Sequence, residues 1–263
     1  MNFKDLGLSE ETIKAIDEFG IVEPTSVQSD VIPSILQGRD IFTIAPARCG
    51  KTMSYVLPIL DIIHAKKAKN ILIVAANSQS AVTISDNLAI FNKYHEINSA
   101  AIQDSKEDVA DEANVIIGAP DLLLDVVNNE KIDLTKVDIL VVDDINLIKK
   151  NKQLENLEKI LELLPAEKQN IVYTNRRSKE TQDILQKILK APEEIKVDKN
   201  KEQEVDASPK TPPQPQAEKK VRPAFNVVED KEALDLMKKY NSYNGKTPKF
   251  ILIKGIIAEG EEK

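Results

Sequence analysis

"IAPARCGKT", residues 44–52, decides the reading of this chain. Its last three residues, Gly50-Lys51-Thr52, are what a nucleoside-triphosphate site needs: close backbone approach, a cation for phosphate and a hydroxyl for Mg²⁺. The residues before them depart from the pattern. Ala45 stands where the general motif has glycine, and Ala47-Arg48-Cys49 replaces the usual run of small residues. The context supports the motif. Ile41–Ile44 reads as a strand entering the loop and 51–66 as a helix leaving it, the setting that a phosphate loop requires. Backbone N–H groups of the loop and of the helix start would face the phosphates. The candidate nucleotide-binding residues are therefore Ala45, Pro46, Ala47, Arg48, Cys49, Gly50, Lys51 and Thr52. Lys51 would reach the β/γ-phosphates and Thr52 would bind Mg²⁺. Arg48 and Cys49 are tolerable if their side chains point outward, because binding runs through backbone amides.

Outward from the loop, the chain alternates. Apolar, β-branched runs predict strands at 40–45, 71–75, 114–117, 138–142 and 170–174, with a last short one at 194–197. Amphipathic patterns predict helices at about 51–66, 79–93, 120–128, 152–164 and 178–190, and two short helices within 9–36 parted at Glu23-Pro24. Unbroken apolar strands alternating with helices imply an α/β domain, a parallel β-sheet with helices on both faces, over residues 1–197. Composition then changes. Residues 198–224 are charged, rich in Pro and Gln and poor in large apolar side chains, which predicts a disordered linker. Residues 225–263 read as a short β-α-β tail, "FNVV", "KEALDLMKKY" and "KFILIKGII". A tail of this size is too small for a robust core of its own. It is expected to dock on the first domain or on a protein partner.

The bulk numbers set limits. One cysteine in 263 residues excludes an intramolecular disulfide and suits a reducing, cytoplasmic setting. The start, "MNFKDLGLSEE", lacks the pattern of a signal peptide, and no stretch approaches the roughly 18 apolar residues of a membrane span. A net charge of −7 and a pI near 5.2 argue against a dedicated nucleic-acid binder. The basic residues are nearly all lysine; the arginines are Arg39, Arg48, Arg176, Arg177 and Arg222, so bidentate phosphate clamps are few.

A second acidic element completes the site. "VVDD", 141–144, ends an apolar strand in Asp143, which places a carboxylate at the carboxyl edge of the sheet, where P-loop enzymes hold a Mg²⁺-organising Asp. Asp144 could orient a water. With these residues on the page, the first 197 residues resemble the N-terminal RecA-like domain of the DEAD-box RNA helicases. "GIVEPTSVQ", 20–28, resembles the family's Q motif, "APARCGKT" its motif I, "APDLLLD", 119–125, its Thr-Pro-Gly-Arg motif, "VVDDIN" its DEAD motif and "YTNR", 173–176, its Ser-Ala-Thr motif. The resemblance implies ATP or ADP with Mg²⁺ as ligands. It places Gln28 on the adenine and Phe3, 17 residues before Gly20, at the aromatic that stacks near the base. It places Asp143 and Thr52 at the metal, and Asp144 and Thr174 at the catalytic positions.

The departures from the family are as informative. The glutamate that positions the attacking water is Asp144 here, one methylene short, and the motif's last Asp is Asn146. Asn175 and Arg176 replace Ala and Thr after Thr174. The arginine of the Pro-Thr-Arg-Glu-Leu-Ala motif falls on Ser78 in "ANSQSA", 76–81, and in "APDLLLD" the Gly and Arg become Asp121 and Leu122. Phosphate-neutralising groups supply most sequence-independent RNA affinity, so RNA binding is expected to be weak or lost. The second RecA-like domain of the family, with its arginine fingers, is represented at most by a faint likeness in 225–263, and no His-Arg-x-Gly-Arg-like run occurs in the sequence.

Three functional expectations stand together. The first is a divergent member that binds adenine nucleotide and hydrolyses it slowly or not at all, in an accessory or regulatory role. The second is an active RNA-dependent ATPase completed by a partner. The third is an interaction module with an empty nucleotide site. His64 and His95 lack neighbours at ligand spacing and read as ordinary histidines. Arg176-Arg177 reads as a solvated pair, and Cys49 as a replacement in a loop, although a cysteine beside Arg48 and Lys51 at a helix start can also favour thiolate.

Overall fold

The computed structural model describes residues 2–104, 109 and 112–197. Seven strands form one parallel sheet: β1 Ile41–Ile44, β2 Ile71–Val74, β3 Ser99–Ile102, β4 Val115–Gly118, β5 Ile139–Val142, β6 Gln169–Thr174 and β7 Glu193–Lys196. Their order is β3-β4-β2-β5-β6-β1-β7, with every pairing parallel. The helices are α1 Glu10–Phe19, α2 Ser26–Leu36, α3 Lys51–His64, α4 Ser78–Phe91, α5 Pro120–Asn128, α6 Ile145–Lys150, α7 Leu154–Leu163 and α8 Gln182–Ile188. The expected α/β architecture is therefore correct. The expected linker 198–224 and tail 225–263 lie outside the described residues.

The reason the strands read as unbroken apolar runs is now visible. Alternate residues enter two separate cores. Ile71, Ile73, Ile139, Val141, Ile171 and Tyr173 pack with α1 to α4 on one face. Leu72, Val74, Leu140, Val142 and Val172 pack with α5 to α8 on the other. Both faces are dry, so neither parity of residue can be polar. Each fully buried Val, Leu or Ile side chain contributes about 1.5–3 kcal/mol.

Two elements were missed by pattern. β3, "SAAI", is an edge strand of small, mostly part-exposed residues and carries no β-branched run. The six-residue α6 is too short to show a helical period, and the expected helix at 178–190 is a 3-10 turn, Lys179–Thr181, leading into α8.

A polar knot ties α1 to α3. Ser9, the N-cap of α1, donates its N–H and its hydroxyl to the two Asp61 oxygens, each at 2.6 Å. The Thr12 hydroxyl also donates to Asp61, and His95 Nε2 lies 2.9 Å from Thr12 Oγ1 and 3.4 Å from Asp61. His95, read from sequence as ordinary, is a buried partner of this knot, with the ring of His64 packed edge-on at 5.3 Å. Burial opposes ionisation of Asp61, but the bonds from His95, Ser9 and Thr12 outweigh it and hold its carboxyl below the usual value. A depressed carboxylate stabilises the fold above its unfolded pKa of about 4 and loses that contribution as pH falls through the lower folded pKa. Asp61→Ala leaves several buried donors without an acceptor, and urea denaturation at pH 7 is expected to show a loss of about 3 kcal/mol. The deficit is expected to shrink as pH falls below about 4 toward the lower folded pKa, where the parent chain progressively loses the carboxylate. An unchanged urea midpoint at pH 7 contradicts the role assigned to the knot.

Candidate functional site

The loop after β1 sits at the carboxyl edge of the sheet, flanked by β6 and β7. Ala45 N–H donates to Thr174 O at 2.9 Å and extends the β1–β6 pairing one residue past the strand. The loop then curls through two left-handed residues, Arg48 at φ 66° and Gly50 at φ 84°. Gly50 caps α3 without a side chain, so the amides at the start of a 14-residue helix have no side-chain acceptor of their own. That is an arrangement suited to an anion. Glycine is required at 50 on two counts: its φ, and a side-chain β-carbon there would stand 2.6 Å from Gln28 Nε2.

The two odd residues of the loop point in opposite directions. Arg48 is exposed, as expected. Cys49 is not outward: it is buried, and its Sγ lies 3.1 Å from Pro46 O. A buried thiol giving its proton to a carbonyl is a packing group rather than a reactive thiolate.

Behind the loop lies the start of α2. Thr25 and Gln28 form a reciprocal cap: Gln28 Oε1 accepts from Thr25 N at 3.0 Å while Thr25 Oγ1 accepts from Gln28 N. The same two side chains hold the loop backbone, Thr25 Oγ1 donating to Cys49 O at 2.9 Å and Gln28 Nε2 to Gly50 O at 3.3 Å. Gln28 therefore has both ends of its amide engaged and only 3% of its surface exposed. Phe3, the other residue expected near a base, is 4% exposed and belongs to the core beside α2. The structure brings Gln28 to the loop and leaves Phe3 in the core.

The acidic side comes from β5. Asp143 N–H donates to Val74 O at 3.1 Å, and Asp143 Oδ1 accepts from the Tyr55 hydroxyl at 2.9 Å. Burial raises the Asp143 carboxyl above its usual pKa, opposed by the Tyr55 bond and by the charge of Lys51. Thr52 and Asp143 are hard oxygen donors of the kind Mg²⁺ accepts alongside phosphates. The residues fit that ion. No cluster of three or more His, Cys, Asp or Glu able to hold a metal alone occurs among the described residues.

Asp144 is placed differently from what its sequence position suggests. It is the N-cap of α6: its Oδ1 accepts from Asn146 N at 3.1 Å and Leu147 N at 3.2 Å. Its Oδ2 faces Lys51 Nζ at 3.6 Å, with both side chains largely buried. Thr174, at the end of β6, is 1% exposed and donates to Arg176 O at 2.8 Å. Asn146 Nδ2 reaches across to Thr174 Oγ1 at 2.7 Å and to Arg176 O at 2.6 Å, joining α6 to β6. Arg177 pairs with Glu194 and lies over the Phe42 ring.

Tyr55 was not singled out in the sequence, and Asn146 was noted there only as the replacement of the motif's last Asp. The only signal for Tyr55 was a hydroxyl in an otherwise apolar face, four residues and one turn beyond Lys51.

A shallow cavity of about 240 Å³ opens beyond β2 and β4, lined among others by Asn77, Ser78, Asp121, Asn151 and Gln153. Its polar groups largely satisfy one another: Gln153 Nε2 donates to Asp121 Oδ2 at 3.2 Å and Asn151 Nδ2 to Ala76 O at 2.7 Å. Asp121 is its sole charged lining residue, and none is basic.

The DEAD/DEAH box helicase family model matches residues 25–184. The chain is 27% identical over 202 residues to the DEAD-box ATP-dependent RNA helicase RhpA of Helicobacter pylori, covering 74% of this chain and 41% of that protein. It is 28% identical to the ATP-dependent RNA helicase DeaD of Escherichia coli, covering 74% and 32%. It is 30% identical to the DEAD-box ATP-dependent RNA helicase CshA of Geobacillus kaustophilus, covering 74% and 43%. The chain spans less than half the length of each of these relatives. A crystal structure of a DEAD box protein from Methanococcus jannaschii shares the fold, with a TM-score of 0.72 at 24% identity over 76% of this chain and 57% of that one. Among the described residues no helix is long and apolar enough to cross a membrane.

Proposed function

Because this chain belongs to the DEAD/DEAH box helicase family, we propose that it binds adenine nucleotide with Mg²⁺, turns it over slowly or not at all, and acts as an accessory or regulatory protein. One observation carries the reading: the carboxylate expected to orient an attacking water, Asp144, caps α6 with one oxygen and faces Lys51 with the other. A carboxylate engaged on both sides is poorly free to direct a water. The groups that would hold nucleotide remain. The loop amides and the start of α3 face the phosphates, and Lys51 meets the β/γ-phosphates while remaining within reach of Asp144. Thr52 and Asp143 hold the Mg²⁺, which neutralises phosphate charge when bound. Gln28 reads the adenine edge once its amide turns from Gly50 O.

The cavity beyond β2 and β4, whose lining holds Asp121 and no basic residue, supports weak RNA binding, since backbone affinity depends on neutralised phosphates. Residues 225–263 are proposed to meet a protein partner across the linker 198–224, in a reducing, cytoplasmic setting. A second reading, an RNA-dependent ATPase completed by a partner, is favoured by the Asn146–Thr174 link, which keeps α6 joined to β6. RNA-stimulated phosphate release separates the two.

Nucleotide selectivity tests the binding half of the proposal. One or two hydrogen bonds to the base are worth about 1.4 kcal/mol, so ATP is expected to bind about tenfold more tightly than GTP in a competition assay with a fluorescent nucleotide. Equal affinity for the two overturns the adenine assignment.

A further inference from the structure

We infer that Tyr55 is a positioning residue for the Mg²⁺ that accompanies the nucleotide, acting through Asp143. The inference rests on the nucleotide-binding reading above and adds a residue to it.

Tyr55 lies on α3 one turn after Lys51 and is fully buried. Its hydroxyl donates to Asp143 Oδ1 at 2.9 Å. Asp143, at the end of β5, and Thr52, at the start of α3, are the two residues whose oxygens fit the cation. They lie 91 positions apart in the chain, and Tyr55 shares α3 with one and a hydrogen bond with the other. The phenol cannot readily turn away. Its ring packs against Tyr173 with centroids 5.4 Å apart, and Tyr173 is itself fixed by a 2.7 Å hydrogen bond between its hydroxyl and Ser54 Oγ.

The physical consequence is directional. A carboxylate free to rotate offers either oxygen to a cation and must be ordered when the cation arrives. Here one oxygen of Asp143 is committed to the phenol, which leaves the other for the metal and removes that ordering cost. The bond also satisfies a carboxylate oxygen that burial strips of water. Hydrogen-bond partners of metal-binding carboxylates typically carry 10–100-fold in metal affinity. Loss of the Tyr55 hydroxyl therefore weakens the cation and leaves the loop amides and Lys51 in place.

The test separates these two. A fluorescent ADP analogue is titrated onto the 263-residue chain in excess EDTA, and MgCl₂ is then titrated onto the loaded protein. For Tyr55→Phe, nucleotide affinity in EDTA is expected to be unchanged, while the half-saturating Mg²⁺ concentration rises about tenfold. In Asp143→Asn the Mg²⁺ effect is expected to disappear, and adding Tyr55→Phe to it is expected to change nothing further. Thermal unfolding of each variant verifies folding. A Mg²⁺ midpoint within twofold of the parent overturns the inference, as does an equal loss of affinity with and without Mg²⁺. Failure of the parent chain to bind the analogue under any condition is a different result: it refutes the proposed function itself.

Discussion

Phosphate release from ATP by this chain is expected at or below about 10⁻³ s⁻¹, three or more orders of magnitude under the ~1 s⁻¹ lower end of typical enzyme turnover. Two independent deficits lead there. Asp144 is occupied as the N-cap of α6 and paired with Lys51, and its carboxylate is one methylene shorter than the glutamate of the family it resembles. Misplacing a catalytic group by about 1 Å typically costs about 10²-fold. Within these 263 residues no His-Arg-x-Gly-Arg-like run occurs, and a chain assayed without an arginine finger is expected to lose on the order of 10³–10⁵ in rate. Asp144→Glu is not expected to restore turnover, because it repairs only the first deficit. It is also expected to loosen α6, since glutamate is a weaker N-cap than aspartate. A coupled phosphate-release assay, with and without single-stranded RNA, measures both variants. Robust RNA-stimulated turnover by the parent chain contradicts the account and favours the active-ATPase reading.

Lys51→Ala is expected to weaken ATP binding about 100-fold or more, with the fold intact. Lys51 is the lysine of the loop, at the first position of α3, and a charge-assisted contact to phosphate is worth about 1.5–3 kcal/mol. The structure adds a second penalty. Removing Lys51 leaves Asp144 largely buried without its cation, beside the place where phosphates would sit. That uncompensated negative charge repels the ligand and takes the total to about 3 kcal/mol, a factor of about 100. A double variant, Lys51→Ala with Asp144→Asn, is expected to recover part of the loss. Titration with a fluorescent ATP analogue measures each step. Affinity within threefold of the parent for Lys51→Ala removes the loop from the binding site.

Much of the fold was legible because its strands are dry on both faces. Runs such as Ile71–Val74 and Ile139–Val142 announce a covered parallel sheet before any pairing is known. β3 was not legible, because an edge strand of Ser, Ala and Ile has no such signature. In the site, spacing alone singled out Gly50, Lys51, Thr52 and Asp143 as candidates, since a phosphate loop and a strand-end carboxylate are local patterns. It left the direction of Cys49 open, because a one-dimensional motif does not say which loop side chain turns inward. It read Asp144 as a group for water, whereas the short α6 that it caps has too few residues to show a period. The Ser9–Thr12–Asp61–His95 knot and the Tyr55–Asp143 contact are assembled from positions far apart in sequence, and no spacing rule reaches them.

The central claim is that the loop at 44–52 still holds a nucleotide although the catalytic carboxylate has been put to another use. Calorimetric titration of ATP onto the folded 263-residue chain, in millimolar Mg²⁺ and again in EDTA, tests it most directly. The account predicts one saturable site per chain, tightened by Mg²⁺. The absence of any binding heat in Mg²⁺ across several temperatures, from a chain shown to be folded, contradicts it.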